Sequence, residues 1–285
     1  MVPSVKRGLD LLQKKGLIVF VRKLNDYFMS QLRNLPGRIY LSGRWLVYNQ
    51  QDSISLSVKD IEAKFTIEEK YSFDWTLQRF KGEKETIEEM IQTLENDDIF
   101  YDIGANTGLY SCFAGQICTD GEIIAFEPYP PNIRELKLNF DLNRVNGTIV
   151  RKALSNKNET VKLSVPKNET PGYGGSSIVK GETHSIEIDA ICGDKLINHG
   201  HIPQPNVVKI DVEGAERFVV EGLENAISHY KCRAVYCEIH FGDKDEGTAD
   251  NGDQLWSWFE ERGFTVERGH EANSSYHLIA RSDKS

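Results

Sequence analysis

The chain has 285 residues, with 34 Lys and Arg against 43 Asp and Glu, a net charge of −9. Residues 1–45 hold nine Lys and Arg against two Asp, so the excess acid lies entirely in the body, and an acidic body excludes a nucleic-acid groove, which needs a basic surface to neutralise phosphates. No apolar run reaches the roughly 18–20 residues of a spanning helix, and the first residues lack a signal-peptide layout, so a soluble cytoplasmic protein is expected.

The first 45 residues repeat apolar positions (Val5, Leu9, Leu12, Ile18, Leu24, Phe28, Leu32, Leu35) at broadly helical spacing, with Lys and Arg between them, until Pro36-Gly37 ends the pattern. Such a basic amphipathic arm either packs on the domain or lies peripherally on the inner face of an anionic membrane. Residues 46–82 read as an extension whose alternating runs WLVYN and SISLSV fit an antiparallel ribbon. Residues 83–95 place Ile87, Met90, Ile91 and Leu94 on one helical face.

From there strands and helices alternate. Strands are expected at Ile99–Ile103, Glu122–Phe126, Thr148–Ala153, Val207–Val212, Ala234–His240, Phe264–Arg268 and Tyr276–Ala280. Helices are expected at Tyr110–Ile117, Asn132–Asn143, Ala215–Leu223 and Asp253–Arg262. The alternation predicts an α/β domain over 83–285, a mostly parallel seven-stranded Rossmann-like sheet with helices on both faces. Residues 154–206 interrupt it with strand-like runs at Val161–Val165 and Ser185–Ile188 and a Gly-rich segment at Pro171–Ser177, an insertion on the substrate side. Five cysteines form no CxxC pair and read as reduced thiols in the core. Nothing sets an oligomeric state.

Ligands of such sheets bind at the carboxyl ends of the strands, so the turns there carry the argument. FYDIGANTG (Phe100–Gly108) is neither GxGxxG nor a P-loop, because Asn106 replaces a glycine and no Lys follows Gly108. Gly104 and Gly108 permit tight turns and close ligand approach. Asp102 is a poor phosphate neighbour and suits a cation or an ammonium group. Glu127 ends the second strand, 19 residues past Gly108, and suits the two hydroxyls of a ribose. Asp211 and Glu213 share a face if the chain stays extended, and are able to bind a cation, position an ammonium or act as a base; Glu216 fits a helix N-terminus. Glu238 and His240 end the next strand, where a His is a reasonable general base. These four residues also suit an oxygen-rich metal site, although nothing demands a metal. His277 reads as a packed strand residue. No GxSxG elbow is present.

In this order DIGANTG, AFEP, KALS (Lys152–Ser155), VKIDVEGAE (Val208–Glu216) and CEIH (Cys237–His240) resemble the FkbM-type methyltransferases, S-adenosylmethionine enzymes of the class I methyltransferase fold. The resemblance runs from about Ile99 to His240, and IDVEGAE is its most specific piece. It implies that Asp102, Gly104, Ala105, Asn106 and Gly108 line the amino-acid end of the cofactor, that Glu127 holds the ribose, and that Ala153 and Leu154 lie along the adenine. It also implies that Asp211 sits near the ammonium and the methyl group, that Glu213 and His240 face the acceptor with Glu238 beside them, and that Ser176 and Ser177 belong to a loop near the substrate. The expected reaction is methylation of a hydroxyl on a sugar, glycan or secondary metabolite, with His240 as first choice of base and Glu213 as second, and Asp211 in the catalytic set. Methyl-ester formation on a sugar carboxylate needs no base. A nicotinamide oxidoreductase and a non-catalytic, membrane-recruited cofactor-binding module are the competing readings.

Overall fold

A computed structural model describes residues 52–67, 70–166, 171–172, 184–229, 231–240, 251–271 and 275–282. The arm at 1–45, the run Trp45–Asn49 and Ser176-Ser177 lie outside the described residues. The chain divides into two compact units, Met1–Ile54 with Ile67–Asp74 and Ser55–Thr66 with Trp75–Ser285. The second unit holds every side chain of the site described below.

The ribbon is a two-stranded sheet of β1 (Ser53–Val58) and β2 (Ile61–Thr66). Alternation along β2 buries Ala63 and Phe65 and exposes the residues between them. The long helix α1 follows at Lys70–Thr93, so it begins well before the predicted start at residue 83 and runs through the boundary expected at 82/83. Buried Thr76 and Leu77 continue toward its amino end the stripe of Ile87, Met90 and Ile91. Gly82 obscured that continuity in the sequence; it sits in the helix interior with nothing within 4 Å of a Cβ built on it.

The core sheet then builds in chain order: β3 (Ile99–Ile103), α2 (Leu109–Ala114), β4 (Glu122–Phe126), α3 (Pro130–Asn143) and β5 (Gly147–Val150). The side sheet and its helix follow as β6 (Ala153–Ser155), β7 (Glu159–Ser164), β8 (Ser185–Cys192) and α4 (Gly193–Asn198). The chain returns to the core with β9 (Val207–Ile210), α5 (Glu216–Gly222), α6 (Glu224–Ser228), β10 (Ala234–His240), α7 (Asn251–Glu260), β11 (Phe264–Glu271) and β12 (Ser275–Ser282).

The seven-stranded order is β11-β12-β10-β9-β3-β4-β5, with β12 antiparallel to both its neighbours and the other pairs parallel. The expected α/β, mostly parallel sheet is present, and this order, with an antiparallel last strand inserted beside β10, is that of the class I methyltransferase fold. Strand order reverses between β3 and β9, where Ile103 pairs with Ile210. Both strands are covered on both faces; Val207, Val208 and Ile210 are fully buried, each such side chain contributing about 1.5–3 kcal/mol.

The strand predicted at Thr148–Ala153 is two strands. Lys152 N–H bonds back to the Val150 carbonyl at 2.9 Å, and this tight reversal sends Ala153–Ser155 into a second sheet of order β6-β8-β7. The insertion is thus a small sheet beside the core. The β1–β2 ribbon docks on α3 through side-chain amides: Asn139 Oδ1 accepts the Thr66 N–H at 2.8 Å, and Asn143 Oδ1 accepts that of Lys64 at 2.7 Å. Four of the five cysteines are buried, all five are free, and no helix among the described residues is long and apolar enough to cross a membrane.

Candidate active site

A cavity of about 440 Å³ opens at the carboxyl edge over the β3–β9 reversal. Its floor and one wall come from expected positions: Gly104, Asn106, Glu127, Ala153, Leu154, Asp211, Glu213, Glu238 and His240 all line it. Asp102, Ala105 and Gly108, also expected at the cofactor, lie behind this lining. Asp102 is fully buried; its Oδ2 accepts from Ser111 N (3.0 Å) and Oγ (2.6 Å), and its Oδ1 lies 3.3 Å from Lys209 Nζ. It organises the turn from beneath. Gly108 has φ +88° and starts α2, where a Cβ would meet Leu136 Cδ1 at 2.5 Å. Gly104 has φ +75°, and a Cβ there would stand 1.9 Å from the Asp211 carbonyl oxygen. Both glycines let the chain pack on itself, and Gly104 also lines the cavity.

Glu127 is buried at the end of β4. Its Oε2 accepts the Asn106 N–H and its Oε1 the Tyr129 N–H, both at 2.8 Å. Burial raises its pKa to about 7, although these two N–H groups pull it down. The Asn132 side chain also hydrogen-bonds the carboxylate, which has about four acceptor sites in all and so keeps capacity for a ligand hydroxyl. Phe126, Ala153 and Leu154 give flat apolar walls beside it. A carboxylate for a diol, apolar walls for a base and no phosphate cradle together fit a nucleoside without phosphates.

The other half is charged. Asp211 Oδ2 lies 2.6 Å from Arg79 Nη2 and 3.2 Å from Lys209 Nζ. Burial alone would raise Asp211; Lys209 and Arg79 hold it well below the usual carboxylate range. Lys209 is 2% exposed, also lies 3.3 Å from the Gly104 carbonyl and sits over the Tyr110 ring. Burial works against its charge, but Asp211 and Asp102 overcome that and raise its pKa. The chain does not stay extended after Asp211: Glu213 has φ +44° and Gly214 φ +89°. The turn nevertheless keeps Asp211, Glu213 and His240 together, with one ligating atom of each within 4.8 Å of the others. Such spacing suits a cation, and Arg79 and Lys209 already supply two positive charges at Asp211.

His240 Nδ1 lies 3.1 Å from Glu216 Oε1, and Nε2 lies 3.4 Å from Glu213 Oε2 and 3.6 Å from Glu238 Oε1. Burial lowers its pKa, but Glu216, Glu213 and Glu238 together raise it to about 9. The raised value favours an imidazolium at neutral pH, with Nδ1 donating to Glu216 Oε1 and Nε2 facing the carboxylates of Glu213 and Glu238. An imidazolium has no lone pair with which to take a proton, which weighs against His240, the first-choice base of the sequence reading. Burial, reinforced by Asp211 and Glu216, raises Glu213 to about 7. Burial, Asp211 and Glu83 likewise raise Glu238, whose Oε1 accepts from Ser275 Oγ at 2.6 Å. His277 is packed, as expected, with its ring near Thr86 and Glu83.

Residues 102–266, more than half of the chain, match the methyltransferase FkbM domain. The chain belongs to that family. It is 32% identical over 193 residues to the hexuronic acid methyltransferase AglP of Haloferax volcanii, covering 65% of this chain and 73% of that one. It is 25% identical over 218 residues to the 31-O-demethyl-FK506 methyltransferase FkbM of Streptomyces tacrolimicus, covering 66% and 81%. Among solved structures, the precorrin-6y C5,15-methyltransferase of Geobacter metallireducens aligns with a TM-score of 0.46 at 15% identity, over 70% of this chain and 88% of that one. That likeness is loose, and the strand order above carries the fold.

This FkbM-family methyltransferase builds its site with several residues that the sequence reading passed over. Lys209 had a signal: a lysine inside the apolar run NVVKID, two residues before Asp211, is out of place in a buried strand unless a carboxylate meets it. Glu216 was read as a helix-terminus residue, and it does accept the Gly214 N–H at 2.8 Å while also holding His240. Trp75, Gln78, Arg79 and Glu83 line the cavity from α1, and with the helix read as starting at 83 the first three had no signal.

Proposed function

We propose that this methyltransferase transfers the methyl group of S-adenosylmethionine to the carboxylate of a uronic acid in a sugar or glycan, making a methyl ester. The cofactor supplies an electrophilic methyl on a sulfonium leaving group. Glu127 holds its ribose hydroxyls, Ala153 and Leu154 flank the adenine, and Asp211, kept ionised by Arg79 and Lys209, attracts its ammonium group. A nicotinamide dinucleotide is disfavoured by the lack of a pyrophosphate cradle.

The observation that carries the acceptor is the saturation of His240: Nδ1 faces Glu216 and Nε2 faces Glu213 and Glu238. A hydroxyl acceptor needs its proton removed, and base assistance is worth roughly 10²–10⁴-fold. A uronate is already ionised, so the chain's residues need only align it, and positioning can supply on the order of 7–11 kcal/mol. The cations Arg79 and His240 line the cavity where such an acceptor would sit. The relative AglP carries hexuronic acid in its name, which agrees with this reading.

A second reading rests on Glu213, which faces the cavity with a pKa of about 7 and is suited to deprotonate a sugar hydroxyl. One assay separates them. Uronate-bearing and neutral oligosaccharides are incubated with labelled cofactor, and the product is treated with mild alkali. An ester loses its methyl group and Glu213→Gln keeps most of the turnover. An alkali-stable methyl ether, with turnover falling a hundredfold or more in Glu213→Gln, would refute the carboxylate reading. Calorimetry with S-adenosylhomocysteine tests the cofactor: no binding to the folded wild type would sink it.

A further inference from the structure

We infer that one face of α1, at Trp75 and Gln78, is the wall that selects the acceptor sugar, with the Trp75 indole as a preset platform for the pyranose ring. The inference rests on the reading of the acceptor as a sugar.

Trp75, Gln78 and Arg79 are spaced i, i+3, i+4 and so share one helical face, and all three line the cavity. They lie ahead of residues 102–266, the part shared with the family. The common fold therefore does not require this wall, as it requires the Gly104 turn or Asp211, and it is free to differ with the acceptor.

The indole is held from behind by the insertion. Gly172 has φ +81°, and a Cβ built on it would lie 2.6 Å from Trp75 Cδ1 and 3.1 Å from Nε1. Only a glycine lets the backbone press so closely on that edge. Gly172 is itself pinned, its N–H donating to Asn132 Oδ1 at 2.8 Å, and Asn132 is a cavity residue. Two elements distant in sequence thus fix the rotamer of a half-buried aromatic ring that still faces the cavity. A buried platform of that kind presents a flat apolar surface without the entropy cost of ordering it at binding. The indole Nε1 is buried on the Gly172 side and has no hydrogen-bond partner among the described residues, so the part of the ring left to the cavity is its apolar surface.

Chemistry and spacing point to a sugar. The axial C–H groups of a pyranose make an apolar face that stacks on an indole, while the ring's hydroxyls need amides and charges around its edge. Gln78 supplies an amide beside the indole. Arg79, four residues on and so about 6 Å along the axis, sits over Asp211 at 2.6 Å. A charge one helical turn beyond the indole can face a carboxylate carried at the edge of the stacked ring. The adenosine walls, Glu127, Ala153 and Leu154, come from β4 and β6 and not from this helix.

The test measures sugar binding apart from turnover. Wild type and Trp75→Ala are loaded with S-adenosylhomocysteine, and binding of D-glucuronic acid and of D-glucose, its neutral counterpart, is followed by saturation-transfer NMR. The platform predicts that Trp75→Ala weakens both sugars by about tenfold or more, that Trp75→Phe recovers most of the loss, and that affinity for S-adenosylhomocysteine is unchanged, which also shows that the variant folds. Unchanged sugar affinity overturns the inference, as does a parallel loss of S-adenosylhomocysteine affinity, which would put the indole on the cofactor. Wild type that binds neither sugar overturns it too. Wild type that binds both sugars through Trp75 yet makes no ester leaves the platform standing and sinks the uronate reading alone.

Discussion

Lys209→Met tests the charge network beneath the cavity. The substitution keeps the length of the side chain and removes an ammonium group that is 2% exposed and lies 3.3 Å from Asp102 Oδ1, 3.2 Å from Asp211 Oδ2 and 3.3 Å from the Gly104 carbonyl. Taking one partner from a buried ion pair costs about 3–5 kcal/mol, because the other charge is left without compensation. Two features place this case at the low end. Asp102 keeps both Ser111 donors, and Asp211 keeps Arg79 at 2.6 Å. The expected loss is therefore about 3 kcal/mol. Asp102→Asn on its own still accepts from Ser111 and should cost less. The decisive quantity is the coupling: with both changes made, the only carboxylate that still faces the missing ammonium is Asp211, which keeps Arg79, and the double variant should be more stable than the sum of the single losses predicts by about 1–2 kcal/mol. Urea unfolding of the four proteins at pH 7, followed by circular dichroism, gives all three numbers. A Lys209→Met loss below about 1 kcal/mol, or additive losses in the cycle, would show that the ammonium's desolvation cost cancels its attraction, and the account of Asp102 and Asp211 as a pair held by Lys209 would fail.

Three further outcomes are expected. The imidazole of His240 should titrate in an NMR pH series near 9, above its ordinary 6.5; a raised value means that its stabilising contribution is full below about 6.5 and is lost as pH rises through 9, so the melting temperature of the wild type should fall across that window more than that of His240→Phe, and a midpoint near 6.5 would contradict the imidazolium. Ribose hydroxyls donate to the ionised form of Glu127, whose pKa is raised to about 7, so calorimetric affinity for S-adenosylhomocysteine should drop as pH falls from 8 to 5.5, whereas a flat profile would remove Glu127 from the cofactor site. Gly104→Ala, with its Cβ 1.9 Å from a backbone oxygen at φ +75°, should cost well over the ~1–2 kcal/mol of a left-handed residue, while Gly82→Ala, in open space mid-helix, should gain roughly 0.5–1 kcal/mol; equal effects in thermal melts would contradict both.

Why some of this was readable in advance has a physical basis. Strands buried on both faces, such as Ile99–Ile103 and Glu122–Phe126, are apolar runs bounded by turn residues, and their limits were found to the residue. The split at Val150 was invisible because it depends on the Lys152 N–H turning back to Val150, not on any change of residue type. Glu127, Asp211, Glu213, Glu238 and His240, which line the cavity, stood out because a topological rule puts ligand residues just past strand ends. Their roles were less legible. Whether His240 gives or takes a proton depends on Glu216, Glu213 and Glu238 meeting both its nitrogens, and those contacts exist only after β9, β10 and the turn at Glu213 have come together. Asp102 was ambiguous for a related reason: a carboxylate before a glycine turn is equally suited to an ammonium ligand and to an internal lysine, and the lysine lies six strands further along the chain.

The internal lysine also explains why charge gathers at the reversal of strand order. Parallel strands diverge there, and the carboxyl ends of β3 and β9 present carbonyls and carboxylates to one small space. Without a counterion, Asp102 and Asp211 would repel each other in a medium that screens them poorly. Lys209 neutralises the pair from inside the sheet, and Arg79 reaches Asp211 from the cavity side. Among the described residues Glu213 and Glu238 make no ion pair with a Lys or Arg; they share His240, and burial, with the neighbouring carboxylates, raises their pKa values. The floor of the cavity is thus a fixed anion with its charge compensated, suited to an ammonium group that stays the same in every turnover. The wall around His240 is only partly compensated, and its charge adjusts with the ligand. An anionic ligand can approach this wall only as Glu213 and Glu238 take up protons, which their raised pKa values allow.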